Sequence, residues 1–145
     1  MNEIKYKWAK NLDDPSYKDG LDIRFKVFVE EQKVPKEEEI DEHEEESYHL
    51  TIYQDGKAVG TGRILPKGAI AKFGRIAVLK EVRGTGLGKL LMDEMERKSK
   101  ELDFQKIQLG GQVSAIAFYN KCGFREYGEV FVEAGIDHKM MEKKI

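Results

Sequence analysis

The sequence predicts an α/β fold of the α+β kind, in which helices cover the faces of one mixed sheet. Three observations support this prediction. Several short segments alternate apolar and polar residues, as half-buried strands do. Asp55-Gly56 joins two such segments and suits a two-residue hairpin turn. A glycine-rich stretch then separates an apolar run from residues with helical periodicity, and this order indicates a mixed sheet with flanking helices.

The first elements are a strand and one or two helices. Residues 3–9 alternate apolar and polar side chains and predict a strand. Asp14 suits a helix N-cap, and Pro15 suits the first helical position. Apolar residues recur at helical spacing until Pro35 interrupts the pattern. They are Leu21, Phe25, Phe28 and Val29.

A hairpin and a third strand occupy the middle of the chain. Segments 48–54 and 57–65 flank the Asp55-Gly56 turn and form the predicted hairpin. Pro66-Lys67-Gly68 then turns the chain into a strand at about 70–79.

The next helix is predicted at about 85–101 and is followed by a short buried strand at 106–111. Ser114 suits the N-cap of a second, short helix, and Gly123 suits the left-handed position that ends it. The longer helix has one apolar stripe, which packs in the core. It consists of Leu87, Leu90, Leu91, Met95 and Leu102.

Two closing strands, at about 124–133 and 137–143, flank Gly135. The prediction therefore comprises about six to seven strands and about four helices. The chain has 145 residues, 40% of them hydrophobic, which fits a single domain over residues 1–145 with one sizeable core.

Composition excludes several classes of protein. No stretch approaches the roughly 18 consecutive apolar residues of a membrane span, and the charged first residues lack the apolar centre of a signal peptide. Cys122 is the only cysteine, so no internal disulfide forms and no cysteine cluster binds a metal. We therefore expect a soluble, cytoplasmic protein that uses no metal and binds no membrane.

Acidic residues are concentrated in one segment, which we call the acidic segment. Positions 37–46 hold 8 of the 27 acidic residues and no basic one. A solvated loop is one interpretation, and a loop that attracts a cationic substrate is the other. Nucleic acid is not expected as a partner, because it calls for a basic face with interleaved aromatic residues.

The most informative stretch is the glycine-rich turn within residues 82–92. Gly84, Gly86 and Gly88 let backbone N–H groups turn toward one point, and the following helix adds the positive end of its dipole. Arg83 adds a charge at the rim. A phosphate site is the functional interpretation, and a plain joint between strand and helix is the alternative.

Two phosphate-binding patterns fit this turn poorly. A P-loop requires a glycine where Arg83 stands and a hydroxyl residue where Leu90 stands. A dinucleotide fingerprint requires a third glycine where Lys89 stands, and it belongs in the first strand–helix turn of its fold. The pattern Gln/Arg-x-x-Gly-x-Gly/Ala matches Arg83 to Gly88 at every fixed position.

With this motif the chain resembles the GCN5-related N-acetyltransferases, the GNAT superfamily. The order of elements and the segment Phe118-Tyr119-Asn120-Lys121-Cys122-Gly123-Phe124 extend the resemblance, which covers about residues 20–142. Four further segments resemble the bacterial ElaA/YjcF-type branch. They are residues 27–32, the acidic segment before Tyr48-His49-Leu50, Leu109-Gly110-Gly111-Gln112 and Gly135-Ile136-Asp137-His138.

This resemblance implies a GNAT-like acyl-CoA N-acyltransferase fold, acetyl-CoA as the donor and transfer of its acetyl group to an amine. The pyrophosphate of coenzyme A would lie against the loop amides, and its pantetheine arm would pair with the end of the preceding strand. The implied cofactor-binding residues are Ile76, Ala77, Val78, Arg83, Gly84, Thr85, Gly86, Leu87, Gly88, Lys89, Gln112 and Tyr119.

The resemblance also implies two catalytic groups. The amide of Ile76 would stabilise the carbonyl oxygen during attack, and the Tyr119 hydroxyl would protonate the departing thiolate. Packing alone is the alternative role for Tyr119. Gln112 stands where many relatives have an asparagine bonded to the cofactor arm, so its geometry departs from the usual pattern.

The sequence leaves the general base, the acceptor and the oligomeric state open. Arg75 could contact substrate or form a salt bridge, and Cys122 is expected to pack rather than act as a nucleophile. A non-catalytic module that binds or senses coenzyme A is the alternative function. The protein would be a monomer or a homodimer that acts on a small molecule or peptide amine. Five residues could accept the proton of the attacking amine, namely Glu30, Glu31, His43, His49 and His138.

Overall fold

The computed structural model describes residues 3–145, and within that range seven strands form one sheet. The strands are β1 (Ile4–Trp8), β2 (Tyr48–Gln54), β3 (Lys57–Lys67), β4 (Ile70–Val78), β5 (Lys106–Gln112), β6 (Arg125–Glu133) and β7 (Ile136–Lys144). The α-helices are α1 (Pro15–Arg24), α2 (Lys36–Glu39), α3 (Leu87–Glu101) and α4 (Ile116–Lys121). A π-helix over Phe25–Glu31 continues α1, and 3₁₀ turns span Lys80–Val82 and Val113–Ala115.

The strand order is β1-β2-β3-β4-β5-β7-β6. The β4–β5 pair is parallel and the other pairs are antiparallel, which confirms the predicted mixed sheet. Helix α3 packs on one face through buried apolar side chains, each of which contributes about 1.5–3 kcal/mol by leaving water. This core includes Phe73, Leu87, Leu91, Met92, Met95, Ile107, Leu109 and Met141.

The first helix begins as predicted. The Asp14 side chain accepts a hydrogen bond from the Ser16 amide at 2.9 Å, and Pro15 occupies the first helical position. After Arg24 the helix continues with π geometry, in which the Gln32 amide bonds the carbonyl of Val27 five residues earlier. Local propensity did not predict this change of helix type. π-Helices are rare in proteins, and those that occur often lie at functional sites.

The central hairpin is confirmed by its turn. Asp55 and Gly56 both have positive φ, at 51° and 84°, as a type I′ turn requires. The closing hairpin is also confirmed, since Ala134 and Gly135 have φ of 51° and 76° between β6 and β7.

Strands β4 and β5 run together only at their beginnings. Their register joins Ile70 through Phe73 to Lys106 through Leu109, after which β4 stays with β3 and β5 stays with β7. A β-bulge lies on β4 just beyond this point. Thr61 pairs with Ala77 and Arg63 pairs with Gly74, so two residues of β4 oppose Gly62 alone. The bulge and the divergence leave one edge of β4 without a neighbouring strand.

Two local predictions in the second half are wrong. Leu90 is 37% exposed and Met92 is buried in its place. At about 100° per residue, Leu90 lies about 60° from Leu87 on the side away from Leu91 and Met95. Ser114 does not cap a helix, because a 3₁₀ turn follows β5 and α4 begins only at Ile116, with no side-chain cap.

Candidate active site

The gap between β4 and β5 opens into a cleft of about 940 Å³. The cleft passes through the sheet, because its lining includes residues from both faces and from both diverging strands. From the diverging strands come Phe73, Gly74, Arg75, Ile76, Ala77, Val78, Leu109, Gly110 and Gln112. From other elements come Gln32, Arg63, Arg83, Tyr119, Phe131 and His138, among others.

The glycine-rich turn leads from the end of β4 into α3. Gly84 and Gly86 have φ of 78° and 90°, a region that side chains disfavour, and a Cβ on either would meet open space. Gly86 is the N-cap of α3 and no side chain caps the helix. The first amides of this 15-residue helix are therefore available to an external acceptor, as the phosphate interpretation expects.

Two charged residues that the sequence assigned to phosphate binding form ion pairs within the protein. The Arg83 guanidinium binds Glu31 at 2.6 and 2.8 Å, and its hydrogen bonds lower the pKa of that carboxyl. Lys89 bonds Asp93 one turn along α3 at 2.5 Å. Gly88 has ordinary helical backbone, and its missing side chain makes room for Phe118, whose ring lies 3.2 Å from where a Cβ would be.

The bulge on β4 shapes the site at its centre. Arg75 has φ of 51° although it is not a glycine, a strained conformation that clusters at functional sites. Ile76, Ala77 and Val78 follow it along the edge of β4 that faces the gap. Their backbone groups on this edge are positioned to pair with an extended molecule in the cleft.

Tyr119 reaches the cleft from α4, on the same side of the sheet as α3. Its ring packs edge-on against Phe118 and Phe124, at centroid distances of 5.3 and 6.2 Å. The Tyr119 hydroxyl forms no hydrogen bond within residues 3–145. Every fully buried polar side-chain atom in that range has a hydrogen-bond partner, so this hydroxyl is not among the fully buried atoms. The hydroxyl is therefore open to the cleft, and burial of the ring raises the pKa of Tyr119 to about 12.

Gln112 is placed at the cleft but its side chain is already engaged. Its amide donates to the Gln32 oxygen at 2.9 Å and accepts from the Gln32 amide at 3.4 Å. This reciprocal pair joins the end of the π-helix to the end of β5. The sequence did not predict the pairing, because the two residues lie 80 positions apart.

The structure separates the five candidates for the general base. Glu30 is exposed and Glu31 is bound to Arg83, and neither lines the cleft. His49 is buried beneath the acidic segment, where its Nε2 contacts the Glu44 carbonyl at 2.8 Å and burial lowers the pKa of the ring.

The two remaining candidates, His43 and His138, both line the cleft. His43 is partly exposed and its Nδ1 lies 2.5 Å from a Glu46 carboxylate oxygen. His138 is buried, stacks on Phe131 at 5.6 Å between centroids and places Nδ1 2.7 Å from the Ile136 carbonyl. Because a carbonyl can only accept, Nδ1 carries the proton and Nε2 keeps a lone pair.

The acidic segment is not simply a solvated loop, so that interpretation is wrong for its central residues. Glu44 is buried and accepts hydrogen bonds from Arg24 at 2.6 Å, Arg63 at 2.5 Å and Tyr17 at 2.7 Å. Glu39 is buried and binds the other side of Arg24 at 2.7 Å. Burial alone would raise the pKa of Glu44, but the hydrogen bonds and charge of Arg24 outweigh it and lower that pKa.

One signal in the sequence could have revealed this buried network. Gly20, Ile23, Arg24 and Val27 share one face of the first helix, which the structure buries against the sheet. A charge on a buried face requires partners of opposite sign, and the acidic segment is the nearest dense source.

Cys122 is buried at the end of α4, as expected for a packing residue, and burial raises the pKa of its thiol. Over residues 3–145, no helix is long and apolar enough to cross a membrane. The same range contains no group of three or more metal-binding side chains that could hold a metal ion.

Comparisons with known proteins agree with this architecture. The sequence profile of the acetyltransferase (GNAT) domain matches residues 12–145. The Bacillus subtilis protein described as uncharacterized N-acetyltransferase YjcF is 42% identical over 136 residues, covering 93% of this chain and 96% of that protein. The crystal structure of Escherichia coli ElaA superposes with a TM-score of 0.84 at 25% identity, covering 97% of this chain and 99% of that one. A Bacillus subtilis acetyltransferase solved in complex with CoA has the same fold, with a TM-score of 0.72 at 21% identity and coverage of 99% of both chains.

Proposed function

We propose that this chain, which belongs to the GNAT acetyltransferase family and to its ElaA/YjcF type, transfers the acetyl group of acetyl-CoA directly to a primary amine. Family membership makes the chain an enzyme of the acyltransferase class. The proposal of acetyl transfer to an amine rests above all on the divergence of β4 from β5. This divergence creates an unpaired strand edge between the uncapped N-terminus of α3 and the Tyr119 hydroxyl. The acceptor is a small molecule or a peptide.

Acetyl-CoA fits the chemistry of this cleft. Its pyrophosphate is an anion suited to the uncapped amides from Gly84 to Lys89 and to the dipole of α3. Its pantetheine arm carries amides that can pair with the edge of β4 at Ile76, Ala77 and Val78, where the Val78 carbonyl also accepts a hydrogen bond from Arg83. The fold shared with an acetyltransferase solved in complex with CoA supports this assignment.

Two groups stabilise the negative charge that develops during acetyl transfer. The amine nitrogen forms a bond to the carbonyl carbon, and negative charge moves first to the carbonyl oxygen and then to the departing sulfur. The Ile76 N–H stabilises the oxygen. Tyr119 donates a hydrogen bond to the sulfur and protonates it as the C–S bond breaks, and the tyrosinate then recovers a proton from water. With its pKa at about 12, the phenol keeps this proton at neutral pH.

His138 serves as the general base in this proposal. A lysine-like amine with a pKa of about 10.4 is mostly protonated at neutral pH, so its proton must be accepted directly or through water. The bond between Nδ1 and Ile136 leaves Nε2 as the accepting atom, and stacking on Phe131 holds the ring in the cleft lining.

The test is an acetyl-transfer assay on purified protein with acetyl-CoA and a broad panel of primary amines. Thiol release measures the rate, and mass spectrometry of the amine identifies the product. We expect acetylation of at least one class of amine. Tight acetyl-CoA binding without turnover on any amine would instead favour a module that binds or senses coenzyme A.

The proposal also includes three expectations about the whole protein. We propose that residues 1–145 act as one N-acetyltransferase domain, that the protein works in the cytoplasm and that it is a monomer or a homodimer. Light scattering with and without acetyl-CoA measures the oligomeric state, and limited proteolysis tests for a second cooperative unit.

A further inference from the structure

The part of the cleft that faces away from α3 forms a distinct floor. Lys72 lies opposite Leu65 on β3 and opposite Gln108 on β5, so these side chains share one face of the sheet. Phe73, next in the chain, lies on the other face within the core around α3. Lys72 therefore belongs to the side of the cleft that is left for the acceptor.

Most charges in this part of the cleft are already matched. Arg63 binds Asp41 at 2.9 Å and Glu44 at 2.5 Å. Arg75 contacts Glu39 and Asp41 at 3.4 Å each, so two of the three cleft-lining carboxylates of the acidic segment pair with arginines of the same protein, and the third, Glu38, is exposed. An acceptor would gain little by bringing a positive charge to this segment.

Four charged side chains of the lining form no ion pair within the described part of the chain. Lys67, Glu38 and Glu133 are exposed at the rim, where water screens them. Lys72 alone is recessed into the floor. Burial lowers the pKa of Lys72, and the nearby cations Lys67, Arg63 and Arg75 lower it further, although Glu133 acts in the opposite direction.

We propose that the acceptor amine carries an anionic group, a carboxylate or a phosphate, and that this group binds the Lys72 ammonium on the floor of the cleft. Arg75 interacts electrostatically with Lys72, but Glu39 and Asp41 already balance its charge, so Lys72 is the group that the anion would bind. The inference rests on the proposed acetyl transfer, and it replaces the cationic acceptor that the acidic segment suggested. A polyamine would bring a second positive charge to Lys72.

The test uses acceptors that differ only in this group. Amino acids are compared with their C-terminal amides, phosphoethanolamine with ethanolamine, and putrescine represents the polyamines. Each is assayed for kcat/KM and, by calorimetry, for binding to the CoA-loaded protein. The variants are Lys72→Met, the conservative Lys72→Arg, and Lys18→Met as a matched control, since Lys18 is an exposed lysine of α1 outside the cleft lining.

We expect the anionic member of at least one pair to exceed its neutral partner by about tenfold in kcat/KM and in affinity. Lys72→Met should remove that preference without changing the neutral partner, and Lys72→Arg should restore part of it. The amino acid and phosphoethanolamine arms then distinguish a carboxylate from a phosphate.

Equal or better use of amides or putrescine would overturn the proposal. So would a Lys72→Met variant that weakens both members of each pair equally, because that pattern reports a structural role. Calorimetry separates this inference from the proposed function. Preferential binding of anionic acceptors without acetylation of any amine would support the anion site and refute the proposed acetyl transfer to an amine.

Discussion

Arg83 ties the glycine-rich turn to two other elements, because its Nη1 and Nη2 atoms bind Glu31 and its Nε donates to the Val78 carbonyl at 3.0 Å. The guanidinium thus holds the loop against the π-helix and the end of β4. Its charge is matched by Glu31, so we propose that backbone amides and the dipole of α3, rather than Arg83, bind the pyrophosphate.

Replacing Gly86 tests the loop, and Gly56 offers a matched control. Gly86→Glu places a carboxylate at the N-terminus of α3 and should weaken acetyl-CoA binding by about a hundredfold or more. Gly56 has nearly the same φ, 84° against 90°, and equally open surroundings, but it lies in the β2–β3 turn. Gly56→Glu should therefore carry a similar strain and leave acetyl-CoA affinity unchanged. Equal affinities in the two variants would refute the phosphate assignment.

Tyr119→Phe tests the proposed acid. The ring packing is kept while the open hydroxyl is removed, so kcat should fall by about a hundredfold or more, with acetyl-CoA affinity within about threefold of wild type. Tyr53→Phe is the control, since its hydroxyl donates to Asp19 at 2.6 Å and lies outside the cleft lining. A Tyr119→Phe enzyme with wild-type kcat would remove Tyr119 from the mechanism.

His138→Gln tests the proposed base at a fixed neutral pH. Because the glutamine amide cannot accept the proton of the amine, kcat/KM should fall by about a hundredfold or more, with acetyl-CoA affinity unchanged. His43→Gln removes the other histidine of the cleft lining and should keep kcat/KM near the wild-type value. If His43→Gln alone lowered kcat/KM, His43 would be the base.

Glu44→Gln tests the buried network. It leaves Arg24 and Arg63, which are 2% and 7% exposed, short of a compensating charge, and should lower the free energy of unfolding by about 3–5 kcal/mol. Glu45→Gln changes the adjacent, exposed glutamate and should cost less than about 0.5 kcal/mol. Urea denaturation at neutral pH compares the two, and equal midpoints would contradict the structure.

Asp41 should contribute stability that acid removes. Burial pushes the pKa of Asp41 upward, but hydrogen bonds and charge from Arg63 outweigh it and hold the pKa at about 2, below the ordinary 3.8. The contribution is therefore complete above about pH 4 and disappears as the pH falls toward 2. It amounts to about 2 kcal/mol.

The measurement for Asp41 is the difference in unfolding free energy between wild type and Asp41→Asn at several pH values. That difference should be constant from pH 6 to about 4 and shrink toward zero near pH 2. A difference that is independent of pH down to 2 would show that Asp41 acts through packing alone.

Local signals in the sequence predicted most of the fold. The Asp55-Gly56 turn and the Asp14-Pro15 helix start depend on a few neighbouring residues, and both are confirmed. The Arg83–Gly88 motif identified the family for the same reason. Six of the predicted site residues line one cleft, although their roles in binding and catalysis stay predictions; they are Ile76, Ala77, Val78, Arg83, Gln112 and Tyr119.

What the sequence could not predict depends on distant partners. The pairs Arg24–Glu44 and Gln32–Gln112 join positions 20 and 80 residues apart. The bulge at Arg75 depends on the registers of two neighbouring strands, which no local pattern specifies. Lys72 was overlooked because alternation marks it only as one polar residue of a strand.

The π-helix over Phe25–Glu31 has a consequence for insertions and deletions. A π-turn takes one residue more than an α-turn, as the bond from Gln32 back to Val27 illustrates. Removing one residue from this stretch would let it rewind as an ordinary α-helix with Gln32 still directed at Gln112. The π-helix therefore contains one residue more than an α-helix would need to span the same distance. We expect a one-residue deletion to be better tolerated here than in α3.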